Sequence, residues 1–288
     1  MNAQPSEFQR LPGISAGVFD ERDFEAVRAL LHAESGIVLP PGKAMLVYSR
    51  WAPLVRNSGS GTFAKYLEYI EKNPTERRKA ICALTTNHTF FFRENHHFEH
   101  FASEVRPKLI ERAKRGDEVL IWSAGCSSGE ETWSIVSTLL GADRAEGRAI
   151  AKSSIRLLAS DLAAHALAAA EAATYPTTTL EAMPAAFRAN WTVDRGGSST
   201  IVPEAHAMVR FRTLNLLGDW PMKKTFDIIF CRNVMIYFDQ PTKERLVNRF
   251  ADQLAPGGFL YIGHSERVVG PAEAKLQPVG NTIYRKVG

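Results

Sequence analysis

Cysteine is scarce in this chain. Its three copies, Cys82, Cys126 and Cys231, lie far apart and are odd in number, with no Cys-x-x-Cys pair. That pattern supplies neither a disulfide framework nor a zinc ribbon. Reduced thiols suit a cytoplasmic protein, which is the localisation expected here. No basic-then-apolar leader opens the chain, and no apolar run approaches the length of a membrane span. Repeats and low-complexity tracts are absent. Charge of one sign is not in excess either: the net charge is +4, too weak to name a nucleic-acid binder but permissive of acidic partners. With 45% hydrophobic and 23% charged residues, the composition excludes a disordered chain, a collagen and a coiled coil. The 288 residues suggest roughly two domains at about 150 residues each.

What is present changes period along the chain. Met1 to about Ala16 has little periodicity and reads as a loose lead-in. From Asp20 to about Phe101 apolar residues fall at helical spacing: Phe24, Val27, Leu30 and Leu31; Leu46, Trp51, Leu54 and Val55; Phe63, Tyr66, Leu67 and Ile70. Pro40-Pro41-Gly42, Asn57–Gly61 and Asn73-Pro74 interrupt them, which predicts a bundle of short helices. After Asp117 the pattern becomes strand, glycine turn, helix, strand. Glu118–Ala124 runs into Gly125–Gly129, a helix pattern follows with Trp133, Val136 and Leu140 on one face, and Ile155–Ser160 ends at Asp161. Phe226–Cys231, a helix over Gln240–Leu254 and the strand Phe259–Ile262 repeat that alternation. It predicts an α/β fold with an open parallel sheet. Tyr175–Arg212, rich in proline, threonine and glycine, reads as an insertion forming a small antiparallel flap.

Four stretches carry chemistry. Gly125–Gly129 follows a strand and opens a helix, where glycines let the backbone approach a ligand. The third glycine of a dinucleotide fingerprint is missing, because that position is Thr132, and the acids Glu130 and Glu131 follow at once. A pyrophosphate disfavours such a doublet, whereas the sulfonium and ammonium of S-adenosylmethionine do not. The doublet could equally serve the dipole of the helix start. Asp161, at a strand end, can accept from ribose hydroxyls or cap the next helix. Cys231-Arg232-Asn233 and Tyr237 stand where a later strand runs out, the crevice side of such sheets. Thr85–Glu94 holds three consecutive phenylalanines, Phe90–Phe92, with Asn87, Thr89 and Arg93 as polar tips. His96 and His100 have the spacing of metal ligands on one helix face, but no third ligand has a recognised spacing, so no metal is expected.

Taken together, TTNHTFFFRENHHF, WSAGCSSGEE, LASD, FDIIFCRNVMIYF and PGGFLYIGHSE closely resemble the chemotaxis protein methyltransferase (CheR) family. The likeness runs from about Phe19 to Arg285. It implies a small all-α N-terminal domain before a class I S-adenosylmethionine-dependent methyltransferase (Rossmann-like) domain with a small inserted antiparallel β-subdomain. The bounds so implied are a flexible segment 1–16, a helical domain 17–100 and a methyltransferase domain 101–288, with the insertion at about 174–212. The activity implied is transfer of a methyl group from S-adenosylmethionine to glutamate side chains of chemoreceptors, giving methyl esters and S-adenosylhomocysteine. The partners implied are cytoplasmic domains of chemoreceptors; nucleic acid, membrane insertion and oligomers are not expected.

By position, the resemblance assigns Asn87, Thr89, Arg93, Gly125, Glu131, Asp161, Asn215, Leu216, Arg232 and Asn233 to the cofactor, with Asn215-Leu216 as the pair near its adenine. It assigns Arg93 and Tyr237 to the substrate carboxylate. The chain departs from the family pattern at His88, at Thr132-Trp133 and at Ala163, and Pro53 and Val55 interrupt a basic stretch, leaving Arg50 and Arg56. From Lys43 to Arg93 nine Lys/Arg face three Glu, an excess of six that favours an acidic partner. The Asn/Asp-Pro-Pro-aromatic run of nucleic-acid methyltransferases is absent.

Overall fold

Capping side chains start three of the first four helices. α1 (Glu21–Ser35) begins at Asp20, whose carboxylate accepts the N–H groups of Arg22 and Asp23, while the Asp23 carboxylate accepts that of Asp20. The reciprocal pair satisfies donors that a helix start leaves open. α2 (Ala44–Asn57) follows, then α3 (Phe63–Glu71) capped by Thr62 and α4 (Pro74–Leu84) capped by Asn73. Their apolar stripes meet: Phe24, Val27, Leu31, Trp51, Val55, Phe63, Tyr66 and Ile70 are buried, with Val47 rather than Leu46 facing inward. The Trp51 indole N–H donates to the Ala80 carbonyl at 2.9 Å.

The computed structural model describes residues 13–288, so most of the expected lead-in lies outside the described residues. The chain divides into two units. The first ends at Thr86 and takes in Tyr237–Asp239. There the Val38 N–H donates to the Tyr237 carbonyl at 2.8 Å, and His32 Nε2 lies 3.0 Å from Asp239 Oδ2. The second comprises Asn87–Ile236 and Gln240–Gly288. The division therefore precedes the boundary near residue 100 that periodicity suggests. The run from His96 is helical like the first unit, but Phe98 and Phe101 pack on Phe230 of the second.

That run is α5 (His96–His100), a π-helical turn over Phe101–Val105, and α6 (Arg106–Lys114). Pro107 has no N–H to give the preceding turn, and the helix widens just before it. The sheet then alternates with helices: β1 (Val119–Ala124), α7 (Glu130–Leu140), α8 (Arg144–Ala151), β2 (Ile155–Asp161) and α9 (Ala164–Ala172). β3 (Thr174–Pro176), α10 (Ala185–Trp191), β4 (Thr192–Asp194), β5 (Ser198–Ile201), α11 (Pro203–His206) and β6 (Val209–Thr213) follow. The chain continues with β7 (Phe226–Cys231), α12 (Gln240–Gln253), β8 (Leu254–Ile262), β9 (Leu276–Gly280) and β10 (Ile283–Lys286).

Among the described residues the main sheet has the order β6-β2-β1-β7-β8-β10-β9, and β3-β5-β4 form a small antiparallel sheet. β6, β2, β1, β7 and β8 are parallel, and β10 runs antiparallel to both neighbours. The insertion thus ends earlier than expected. Val209–Thr213 alternates apolar and polar residues because it is an edge strand of the main sheet, paired with β2.

From β1 the chain moves first to β2 and β6 and later to β7 and β8 on the other side. Such a reversal opens a crevice at the carboxyl ends of the strands. Ala124 pairs with Ser160, Ser123 with Phe230, and the Leu214 N–H donates to the Asp161 carbonyl at 3.0 Å. Gly125, Asp161, Asn215 and Arg232 therefore leave neighbouring strands along one rim. No described helix is long and apolar enough to cross a membrane.

Two contacts yield predictions. Gly147 of α8 lies under Trp191, and a Cβ there would clash with the indole and meet the Leu140 carbonyl at 2.8 Å. On an open helix Gly→Ala gains about 1 kcal/mol. At this site overpacking reverses the sign, and Gly147→Ala is expected to cost about 1–3 kcal/mol by urea denaturation.

His97 is fully buried. Its Nε2 lies 2.9 Å from Thr282 Oγ1, and that hydroxyl already donates to the Asn281 carbonyl, so Nε2 carries the proton. Burial, with Arg232 and His96 nearby, lowers its pKa from 6.5 to about 3. The unfolded chain therefore takes up this proton first, and stability present above pH 6.5 is lost as pH falls toward 3. At pH 4.5 the loss is expected to be on the order of 2 kcal/mol. His97→Gln is expected to flatten that part of the pH–stability curve, measured by denaturation between pH 7.5 and 4.5.

Candidate functional site

The glycine turn is built from residues in left-handed backbone. Gly125, Ser127 and Gly129 have φ of 81°, 50° and 98°. A Cβ at Gly129 would meet the Tyr175 hydroxyl at 2.7 Å and the Ala170 backbone at 2.9 Å. Only glycine fits such a close approach. Asp161 braces the turn: its Oδ2 accepts the Ser127 N–H and its Oδ1 the Ala163 N–H, both at 2.8 Å. Burial raises the Asp161 pKa while these two N–H groups work against the rise. Asp161 thus ties the glycine turn to the entry of α9, and an ionised carboxylate keeps further acceptor positions beyond these two bonds.

The acid doublet divides. Glu130 Oε2 accepts from the Ser128 hydroxyl at 2.7 Å. Glu131 Oε1 accepts from the Ser123 hydroxyl at 2.7 Å, and its Oε2 lies 3.4 Å from a guanidinium nitrogen of Arg232. Burial raises both carboxyl pKa values, and for Glu131 the guanidinium opposes it.

Arg232 is the centre of the site. It is 2% exposed at the side chain and pairs with Glu131 through one nitrogen and with Glu94 at 3.4 Å through another. That second nitrogen also donates to the Arg93 carbonyl. The guanidinium carbon stands 5.3 Å from the Phe98 ring centroid. Glu94 also accepts from the Asn233 amide at 3.2 Å and from His264 Nδ1 at 3.1 Å. Burial works to raise the Glu94 carboxyl, but Arg232, His264 and Asn233 outweigh it and hold it at about 2. Asn233 is left-handed at φ 59°, and Glu266 fixes it there by accepting the N–H groups of Asn233, Met235 and Gly263.

The phenylalanine strip lies alongside. Phe91 meets the Tyr175 ring edge-on, Phe92 packs on Phe98 and Phe187, and Phe90 is exposed. Phe92 and Glu94 are both left-handed at φ 55°, which costs roughly 1–3 kcal/mol each. Between them, Arg93 has a side chain 23% exposed, stacked 5.6 Å from the Phe90 centroid and donating to the His88 carbonyl at 3.3 Å. Its Nε is 4.0 Å from Glu94, at the limit of an ion pair. The Ser127 hydroxyl donates to the Asn87 carbonyl at 2.8 Å, while Asn87 Nδ2 is buried without a partner. Thr89 is half-buried. Across the rim, Asn215 and Leu216 form a turn in which the Leu217 and Gly218 N–H groups donate to Asn215.

The structure thus gathers Glu131, Arg232, Asn233 and the Arg93 backbone around Glu94 in one bonded set, and joins Asp161 to Asn87 through Ser127 in another, with Gly125 and Asn215 following the strands on either side of β2 at the same rim. Tyr237 groups with the helical unit. Sequence reading missed Glu94, Glu266 and Tyr175. Glu94 and Glu266 lie within the quoted motifs, and their acidity beside Arg232-Asn233 was the available signal. His96 and His100 serve as structural partners, to the Asn281 carbonyl and the Tyr261 hydroxyl. In the helical unit the basic run is partly neutralised, with Arg77 on Glu34 and Lys79 on Glu76.

Comparison with known proteins identifies both parts of the chain. Residues 87–285 match the model of the CheR methyltransferase, SAM binding domain, and residues 22–85 that of the CheR methyltransferase, all-alpha domain. A probable chemotaxis protein methyltransferase of Rhizobium etli is 41% identical, over 89% of this chain and 96% of its own. Chemotaxis protein methyltransferase 2 of Pseudomonas aeruginosa is 39% identical, over 92% and 93%. The chemotaxis protein methyltransferase of Escherichia coli is 35% identical, over 91% and 89%. The residues present fit S-adenosylmethionine: Asn87 Nδ2 is a buried donor without a protein partner, and acids rather than lysines or arginines surround the glycine turn. By its matched domains and the motifs gathered at this rim, the chain belongs to the CheR methyltransferase family, enzymes of chemotaxis that use S-adenosylmethionine.

Proposed function

We propose that this enzyme methylates glutamate side chains in the cytoplasmic domains of chemoreceptors, giving glutamate methyl esters and S-adenosylhomocysteine. One observation carries the choice of a carboxylate acceptor: two neighbouring arginines are treated oppositely. Arg232 is buried and spent on Glu131 and Glu94, whereas Arg93 is partly open and holds only a backbone carbonyl at hydrogen-bond distance. A guanidinium left in that state beside an exposed phenylalanine suits an incoming anion.

When bound, S-adenosylmethionine supplies an electrophilic methyl carbon on a sulfonium. Asn87, Thr89, Gly125, Glu131, Asp161, Asn215, Leu216, Arg232 and Asn233 are the residues proposed to hold it. The acceptor needs no general base, since a free glutamate has a pKa of about 4.3 and is ionised at neutral pH. Glu94 and His97 are accordingly no base candidates; one is held ionised on Arg232 and the other is a buried neutral ring. Arg93 has the planar fork to fix a carboxylate in one orientation, and Phe90 gives that fork a platform. Alignment of this kind supplies up to about 7–11 kcal/mol in well-oriented systems. Tyr237 is the second proposed acceptor-side residue. The exposed basic residues Arg56, Lys65, Lys72 and Arg78 of the helical unit are the proposed docking charges for an acidic partner. The partner domain being cytoplasmic, the cytoplasm is the proposed compartment, with a monomer as the working form.

Arg93→Lys keeps the charge and loses the fork. It is expected to lower turnover at least tenfold while the affinity for S-adenosylhomocysteine changes less than about threefold. Arg93→Ala is expected to weaken the receptor's apparent affinity as well. Calorimetry beside a methylation assay on both variants checks this. Cofactor affinity falling in step with activity would move Arg93 to the cofactor, and full turnover in Arg93→Ala would remove it from the site.

A further inference from the structure

The turn Asn215–Gly218 is fixed by more than its own bonds. Its Leu216 carbonyl accepts two donors from outside the turn: the Trp220 indole N–H at 3.1 Å and an Arg249 guanidinium nitrogen at 2.8 Å. The other terminal nitrogen of Arg249 donates to the Gly218 carbonyl at 2.6 Å. The guanidinium carbon lies 4.0 Å from the Trp220 ring centroid. Trp220 in turn stacks on Phe250 at 5.3 Å and meets Trp122 edge-on at 4.8 Å. Trp122 belongs to β1, and its indole N–H donates to Ser160 beside Asp161.

Arg249 is an expensive way to staple a loop. Its charge is partly buried, which disfavours ionisation, and only the attraction of Asp219 opposes that. It spends both terminal nitrogens on backbone carbonyls two residues apart. A planar fork whose two ends meet two carbonyls fixes the plane of the turn, which a single ammonium does not do. The aromatic stack below locks the fork in place, and its far end is anchored at the strand that carries the glycine turn. The result is a rigid connection from helix α12 to the rim beside Asp161.

We infer that Arg249, seated on Trp220, is a positioning residue that sets the Asn215–Gly218 turn for recognition of the cofactor's purine base. The inference rests on the reading of Asn215 and Leu216 as the base-side wall. A fixed turn holds the Asn215 side chain at a set position, so it reads the hydrogen-bonding edge of a base. A loosened turn still offers an apolar surface but discriminates less between bases with exchanged donors and acceptors.

The test uses the full-length protein with Arg249→Met, Arg249→Lys and Asn215→Ala. Calorimetry is run with S-adenosylhomocysteine and with S-inosylhomocysteine, whose base carries a carbonyl in place of the amino group. Arg249→Met is expected to bind S-adenosylhomocysteine about tenfold more weakly, the scale of a lost charge-assisted hydrogen bond. Its preference for the adenosyl over the inosyl compound should shrink, and the KM for S-adenosylmethionine should rise more than kcat falls. Arg249→Lys should recover part of the preference. An equal loss for both compounds, or an unchanged preference in a folded Arg249→Met protein, overturns the inference. If Asn215→Ala loses the preference while Arg249→Met keeps it, the latch alone is wrong. If neither variant changes the preference, the base-side reading of the turn fails with it. Should Arg249→Met not fold, the same comparison is made on Arg249→Lys, where an unchanged preference again counts against the latch.

Discussion

The site depends on one buried guanidinium. Arg232 leaves the end of β7, Glu131 opens α7, and Glu94 follows the phenylalanine strip; the arginine joins all three segments at one point. Removing one partner of such a buried set leaves an unpaired charge at a cost of about 3–5 kcal/mol. The arrangement therefore acts as a registration device. It sets the height of the strip against the glycine turn, and the Arg93 carbonyl is tied to the same guanidinium. Two left-handed residues flanking Arg93 are tolerated because these bonds over-determine the strip.

The same economy explains how two adjacent regions of positive charge differ. A sulfonium cofactor beside an unpaired arginine would be repelled. Arg232 is surrounded by carboxylates, and Arg93 is turned toward the exposed Phe90 side of the strip. Glu266 adds a second constraint of another kind: it gathers backbone N–H groups of the loop after β7 and holds Asn233 in a conformation few residues adopt. Conformational strain at the rim is thus offset by carboxylates from distant segments rather than by local turn chemistry.

Local signals in the sequence were enough for the sheet's centre and its rim. The continuous apolar run of Val119–Ala124, the glycine turn after it and the acid ending Ile155–Asp161 each carry a local pattern, and that pattern is enough to put Gly125 and Asp161 at the ends of two neighbouring strands. Less local features were hidden. Arg232 and Glu131 lie 101 residues apart, so no spacing announces their pairing. The helical run from His96 has the period of the first unit, and only its packing on Phe230 assigns it to the second. Val209–Thr213 shows a period of two, but the turn-rich residues before it drew the strand into the insertion. β9 and β10 are short, and β9 contains Pro278 and Gly280, which read as loop. Glu94 was visible as a letter in a motif, and its role emerges only when His264, Asn233 and Arg232 converge on it.

A carboxylate acceptor is distinguished from any other by the chemistry of the product. Purified protein would be incubated with methyl-labelled S-adenosylmethionine and the cytoplasmic domain of a chemoreceptor from the same cell. With a carboxylate acceptor, the label maps to glutamate residues and is released by mild alkali, as an ester must be. Label that resists alkali, or that enters nucleic acid instead of the receptor, would contradict a carboxylate acceptor.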